Sequence, residues 1–360
     1  MHKPLLLVLP VALMASSAHA QTVNVYNWSD YIAEDTLERF QAETGISVNY
    51  DVFDSNEIVE AKLLAGNSGY DVVVPSGFFL ERQIPIGLFQ PLDKSKLPNL
   101  ANLDPAIEAI VAEHDPGNQY AVTYMWGTTG LGYNVNEVIA RVGEDGPLDS
   151  WDLLFDPETA AKLADCGISV LDAPVEMISA ALNYLGLDAN SEDQADLDQA
   201  EALLASVRPH IRMFHSSQYI SDLANGDICL AVGYSGDVFI AADRAAEADR
   251  GVEVAYVIPE EGASLWFDMM AIPADAPNPD AAHAFINFIL EPEIAAGITN
   301  YVWYANPNAA ADEFVDPEIL EDPAIYPTDE VMSNLYPLKA KSPQFDRLLT
   351  RAWTRIKTGQ

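Results

Sequence analysis

Basic residues are scarce in this chain. Only 18 Lys and Arg stand against 55 Asp and Glu in 360 residues, a formal net charge of −37. A sequence-independent nucleic-acid binder needs a basic face to neutralise phosphates, and a protein held on anionic lipid needs a polybasic patch. Both classes are excluded. Cysteine is nearly absent, with Cys166 and Cys229 alone and no Cys-x-x-Cys spacing for redox exchange. Past residue 20 the histidines are His114, His210, His215 and His283, and none belongs to a His-Glu-x-x-His pattern. Phosphate-loop and dinucleotide-loop glycine patterns are missing, and Gly233-Tyr234-Ser235-Gly236 has the wrong spacing for a nucleophile elbow. The acidic stretch from Asp188 to Asp193 lacks the turn glycine and closing glutamate of a calcium loop. No catalytic residue, metal ion or cofactor is therefore expected, and the chain does not read as an enzyme.

The one long apolar run lies at the start. Lys3 gives a short positive beginning, Leu5 to Met14 is apolar, and Ala18-His19-Ala20 fits the small-x-small cleavage rule. Residues 1–20 read as a secretory signal peptide, too short in its apolar part to span a bilayer. No cysteine follows the cleavage point, so no lipid anchor is expected and the mature, exported chain is 21–360. A pair of cysteines in an oxidising compartment favours a disulfide, with two buried thiols as the alternative. The apolar share of 49% is ordinary for a folded protein, so the acidity sits on a solvated surface. The length favours two lobes. There is no internal repeat and no low-complexity tract.

From residue 22 short β-rich runs alternate with helical ones. Val23 to Trp28 reads as a strand, Ala33 to Glu43 as a helix stopped by Gly45, and Ile46 to Phe53 as a second strand. Ser55 or Asn56 caps a helix through Leu63 to Gly66, and Tyr70 to Pro75 is a continuous apolar strand of the buried parallel kind. A second block follows, with strands at Gly167–Leu171, Ile211–Phe214 and Ile228–Val232 and helices at Val175–Leu185, Tyr219–Ala224 and Asp237–Ala246. Strands over Val252–Ile258 and Leu265–Ile272 precede a helix from Asp280 to Leu290. This order predicts an α/β fold with ligand chemistry at the carboxyl ends of the strands. The stretches around Asn118–Gly132 and around Arg250 are the expected crossings between lobes.

Aromatic and acidic residues recur together at those strand ends. Trp28 stands beside Ser29, Asp30 and Tyr31; Tyr234 precedes Asp237; Trp266 precedes Asp268; Trp303 and Tyr304 form a fourth group. Each piece alone also fits a structural role, since Asp30 and Asp237 are placed to cap helices and strand-end aromatics pack in cores. Several carboxylates converging in one crevice demand a cation, because a buried carboxylate is costly unless paired. Aromatic faces add cation–π attraction and apolar surface for methylene groups. The combination describes a site for an alkyl chain carrying ammonium groups.

The chain resembles the periplasmic polyamine-binding proteins, the putrescine and spermidine receptors of ABC importers, from about residue 23 to its end. The residues carrying the resemblance include Val25-Tyr26-Asn27-Trp28-Ser29-Asp30-Tyr31, Phe53-Asp54-Ser55-Asn56-Glu57, Asp71-Val72-Val73-Val74-Pro75-Ser76 and Asn225-Gly226-Asp227-Ile228-Cys229. It implies a type II periplasmic binding protein with two lobes, each a mixed β-sheet flanked by helices, and a ligand cleft between them. The expected lobes are 21–127 plus 248–294 and 128–247 plus 295–360. The implied aromatic box is Trp28, Tyr31, Tyr234, Trp266 and Tyr304, and the implied acidic positions are Asp30, Asp237, Asp268 and Glu176. The hydroxyls of Ser76 and Ser216 and the backbone carbonyl of Ser29 complete the implied polar contacts, and the family's paired cysteines fall on Cys166 and Cys229. Putrescine receptors of this kind tend to carry Trp where Tyr234 stands and Phe where Trp266 stands. The expected partners are a polyamine and permease subunits, the receptor itself being monomeric. The alternatives are a receptor or sensor for agmatine, cadaverine or γ-aminobutyrate. The last would call for an arginine at the crevice, and the matched segments supply none.

Overall fold

A computed structural model describes residues 21–359. The expected signal peptide, residues 1–20, lies outside the described residues. β1 (Thr22–Trp28), β2 (Ser47–Phe53) and β3 (Val72–Val73) are parallel in the order β2-β1-β3, with helices Thr36–Thr44 and Asn56–Leu64 as crossovers. Gly45 ends the first helix at φ 72°, where glycine carries no Cβ penalty, and the Ser55 hydroxyl caps the second by accepting from the Ile58 amide.

The molecule is organised around β4 (Ala121–Asn134), a strand of 14 residues buried throughout. At roughly 3.4 Å per residue it runs through both halves of the protein. β5 (Ile168–Val170), β6 (Ile211–Phe214) and β7 (Leu230–Tyr234) form the second sheet region, with β5 parallel to both β6 and β7. β7 and β8 (Val254–Val257) pair antiparallel with the distal part of β4, whereas β9 (Ser264–Ala271) pairs with its proximal part. Thr129 is the changeover, opposite Ser264 on one side and Tyr234 on the other. A two-residue strand, β10 (Tyr336–Pro337), closes the list beside β9.

Packing follows the same division. One core gathers Trp151, Phe155, Met177, Tyr219, Leu230 and the last helix, Pro343–Thr358. The other half is filled by two apolar clusters on the faces of the β1–β3–β9 region. The packing departs from the expected lobe boundaries at two places. β8 belongs with the second core, because it hydrogen-bonds to Leu131–Asn134 of β4. Residues 295–326 pack with the first, where Ile298 and Val302 bury and Ala305 bridges to Trp126. Apolar periodicity marks which face of a helix is buried but not which sheet it covers, so these segments carried no sign of their destination.

Cys166 and Cys229 are joined, with Cα atoms 5.5 Å apart. The bond ties the turn before β5 to the residue preceding β7 and closes a loop of sequence separation 63. In the chain-entropy treatment such a loop stabilises the fold by ~4 kcal/mol. Replacing both cysteines by serine is expected to lower unfolding stability by up to that amount, read as a fall in the urea midpoint, with a larger m-value because the released chain exposes more surface when unfolded. An unshifted midpoint would show that the bond adds nothing.

Candidate ligand-binding cleft

Strand ends from both halves and the middle of β9 line one cavity. Trp28, the last residue of β1, is fixed by its indole N–H donating to the Val74 carbonyl at 2.9 Å and by its ring against Phe53. Ser29 follows, its hydroxyl on Asp54 at 2.9 Å. Tyr31 is buried edge-on between Tyr124 and Tyr304, at 5.2 and 5.0 Å between ring centres. Ser76 stands at the start of helix Gly77–Gln83, held by the Asn56 side chain and donating its hydroxyl to Asp268 at 2.7 Å.

The second half supplies the facing wall. Pro174 opens helix Pro174–Tyr184 and places Glu176 in its first turn, where Glu176 accepts the Thr129 and Tyr234 hydroxyls at 2.9 and 3.0 Å. Asp237, in the first turn of helix Ser235–Ala248, accepts the Tyr219 and Tyr304 hydroxyls, both at 2.7 Å. Trp266 of β9 meets Tyr234 and Tyr304 edge-on at 5.6 and 5.5 Å. Two glycines make room for these rings: a Cβ on Gly127 would lie 2.9 Å from Trp266, and one on Gly236 would lie 2.4 Å from Tyr304.

Three carboxylates thus face one cavity while nearly withdrawn from water: Glu176 is 7% exposed, Asp237 9% and Asp268 5%. Burial pushes Glu176 and Asp268 up to about 7 and Asp237 up to about 6, the hydroxyl hydrogen bonds opposing that rise only in part. The negative charge of Asp237 adds to the rise at Asp268. No Lys, Arg or His lines the cavity among the described residues. The wall therefore has aromatic faces, hydroxyl groups and four carboxylates, Asp54 and the three buried ones, none of them in an ion pair, which is the chemistry of a cation site. Among the described residues no group of His, Cys, Asp and Glu is placed to hold a metal ion.

Of the residues expected from the sequence, Trp28, Ser29, Tyr31, Ser76, Glu176 and Ser216 line this cavity, as do Tyr234, Asp237, Trp266, Asp268 and Tyr304. Asp30 does not. The chain turns there at φ 53°, and the Asp30 carboxylate pairs with Arg244 at 2.8 Å on the partly exposed rim. Asp54, Phe78 and Ser217 also line the cavity and were not among the residues expected from the sequence. Asp54 follows β2 as Ser29 follows β1, so the strand-end rule applied evenly would have found it.

A two-lobed α/β chain with an aromatic, acid-lined cleft at its strand ends has the form of a solute receptor. The chain belongs to the bacterial extracellular solute-binding protein family, whose model matches residues 35–328. It is a receptor rather than an enzyme. It is 55% identical over 355 residues, covering 97% of this chain and 96% of the relative, to the putrescine-binding periplasmic protein PotF of Escherichia coli K12. It is 54% identical over 350 residues to the putrescine-binding periplasmic protein SpuD of Pseudomonas aeruginosa, covering 97% and 95%. Among solved structures it is similar to the spermidine/putrescine ABC transporter substrate-binding protein PotD of Streptococcus pneumoniae. That match has a TM-score of 0.77 at 32% identity and covers 94% of this chain and 99% of the other.

The raised carboxylates fix a pH dependence of the empty receptor. Their folded pKa values, about 7 for Glu176, lie above the ordinary value, so the folded state holds extra protons between about pH 4 and 7. The stability this contributes is complete below that window and is lost as pH rises through it. Ligand-free Glu176→Gln is therefore expected to melt higher than the parent at pH 8 and to converge with it as pH falls to about 4. Scanning calorimetry reads the difference, and a constant offset at both pH values would contradict the assignment.

Proposed function

We propose that this chain is a periplasmic receptor that captures a linear polyamine, putrescine or spermidine, and delivers it to an ABC permease. The observation that carries the reading is the set of three buried carboxylates without a cationic partner in one aromatic cavity. Asp237 and Asp268 hold one ammonium end, and Glu176 holds the other. Trp28, Tyr31, Tyr234, Trp266 and Tyr304 enclose the methylene chain, while Ser29, Ser76 and Ser216 orient the nitrogens. Asp30 acts at one remove, through its pair with Arg244 across the cleft. The names of the relatives at 54–55% identity support the ligand class and the periplasmic location.

The lobes of this receptor are 21–129 with 262–326, and 130–258 with 336–359, a division supported by the packing of the cores. Closure follows from contact with both: a ligand touching Asp268 on one side and Glu176 on the other binds the closed arrangement better than an open one. The acid-rich surface raises the local concentration of cations around the cleft, an effect that salt screens.

Titration calorimetry of ligand-free residues 21–360 with putrescine, cadaverine, agmatine and spermidine tests the proposal. One amine is expected to bind tightly, and Asp237→Ala is expected to weaken it at least about tenfold without unfolding the protein. Heat from none of the four amines would overturn the reading.

The pH dependence has a definite sign. An ammonium beside Asp268 and Glu176 favours their ionised forms, so binding expels protons near pH 6.5, and affinity rises as pH goes from 5.5 to 7.5, around values of about 7. The amines stay protonated across that range, so the slope belongs to the receptor. Calorimetry in buffers of different ionisation enthalpy reads the proton count. A flat profile would remove these carboxylates from the binding step.

A further inference from the structure

With 55 Asp and Glu against 18 Lys and Arg, closing the two halves over a solute brings acidic faces together. At the outer end of the seam between them the first half contributes Glu57 and Glu60 of helix Asn56–Leu64, and the second contributes Asp172 and Asp346. Among the described residues lining that opening, Arg82 is the one basic side chain. It belongs to the first half and stands in the last turn of helix Gly77–Gln83.

Arg82 is held by its own half. Its guanidinium lies over the Phe79 ring at 4.0 Å, and its Nε donates to Glu60 at 2.8 Å. The remaining arm crosses the seam, where Nη1 donates to Asp346 at 3.2 Å. The Asp346 carboxylate, in the first turn of helix Pro343–Thr358, has no other partner among the described residues. Asp172 is matched within the second half by Lys357 at 2.8 Å, so that half leaves Asp346 uncompensated. Next to Arg82, Glu81 accepts the Ala340 amide of the second half at 3.3 Å. None of these residues lines the ligand cavity. Their helix nevertheless begins beside Ser76, whose hydroxyl holds Asp268 inside that cavity. Seven helical residues span about 10 Å, so one short rigid element carries a cavity group at one end and the interlobe contact at the other.

We infer that Arg82 is a positioning residue for solute capture: it supplies the counter-charge that lets the acidic faces of the two halves close, without touching the solute. Glu60 and Phe79 keep it oriented when the halves part, so only its contact with Asp346 is made and broken. The inference rests on the receptor reading above and deepens it by naming what sets the closed state. A charge that acts on closure changes the release of every solute by one factor, whereas a residue in contact with the solute changes it ligand by ligand.

The test is stopped-flow release of putrescine, cadaverine and spermidine from the parent, Arg82→Gln and Arg82→Lys, read by the fluorescence of Trp28 and Trp266 in the cavity wall. In dilute buffer Arg82→Gln is expected to release each amine about threefold faster than the parent, the scale of one partly solvated charge, with Arg82→Lys near the parent. At about 1 M salt, where the screening length is about 3 Å, the gap between Arg82→Gln and the parent is expected to close. Equal rates in dilute buffer overturn the assignment, as does an Arg82→Lys variant as fast as Arg82→Gln. Acceleration for one amine alone overturns it by making Arg82 a ligand contact, and a gap that persists in salt does so by reducing its role to packing on Phe79. If Arg82→Gln binds no amine in dilute buffer, recovery of binding in salt supports the assignment and continued loss overturns it. Where the parent binds amine, these outcomes bear on Arg82 alone; if it binds none, the receptor reading falls and this inference with it.

Discussion

Three carboxylates placed out of reach of water, with no positive side chain among them, set the terms for the rest of the cleft. Glu176, Asp237 and Asp268 each accept hydroxyl hydrogen bonds, yet burial still raises them toward neutrality. An apolar wall alone would leave such groups protonated and inert. Tyr219, Tyr234, Tyr304, Thr129 and Ser76 keep them near the point where a cation tips them into the charged form. The aromatic packing follows from the same demand, because rings exclude water while presenting faces that attract ammonium.

The rim obeys a different rule. Asp30 and Arg244 are both about two-fifths exposed, where an ion pair is weak and screened by salt. Arg82 with Glu60 and Asp346 is more enclosed and spans the two halves beside the outer end of the seam. Charges at the rim are matched within the protein, whereas those in the interior await a ligand. That difference separates residues that shape the mouth from residues that recognise the solute.

Much of this was legible in the sequence, for physical reasons. Apolar runs bounded by turn residues located β1, β2, β7 and β9 within a residue or two, and with them Trp28 and Tyr234 at strand ends; Trp266 and Asp268, expected at a strand end, lie inside β9 instead and reach the cleft from the middle of that strand. Glu176 had no such signal of its own, because a glutamate in the first turn of a helix is ordinary; it came from resemblance to a family. Asp30 looked like its neighbours Trp28 and Tyr31, and only the backbone turn at that residue directs its carboxylate to Arg244. β4 read as a connection between lobes because its burial on both faces removes the alternation that marks a half-buried strand. Residues 295–326 illustrate the other gap, since which core a helix joins depends on long-range packing rather than on its own pattern.

β4 also bears on how the chain comes to be folded. Its proximal part needs β9, whose residues come more than a hundred positions later, and its distal part needs β7 and β8. The second core is complete only with the helix that ends at Thr358, and the first only with residues up to about 326. A polypeptide emerging from its amino end therefore has neither hydrophobic interior available until synthesis is nearly over. Long-range pairing thus makes each lobe wait for its own late segments: residues up to about 326 for one, and the helix Pro343–Thr358 for the other.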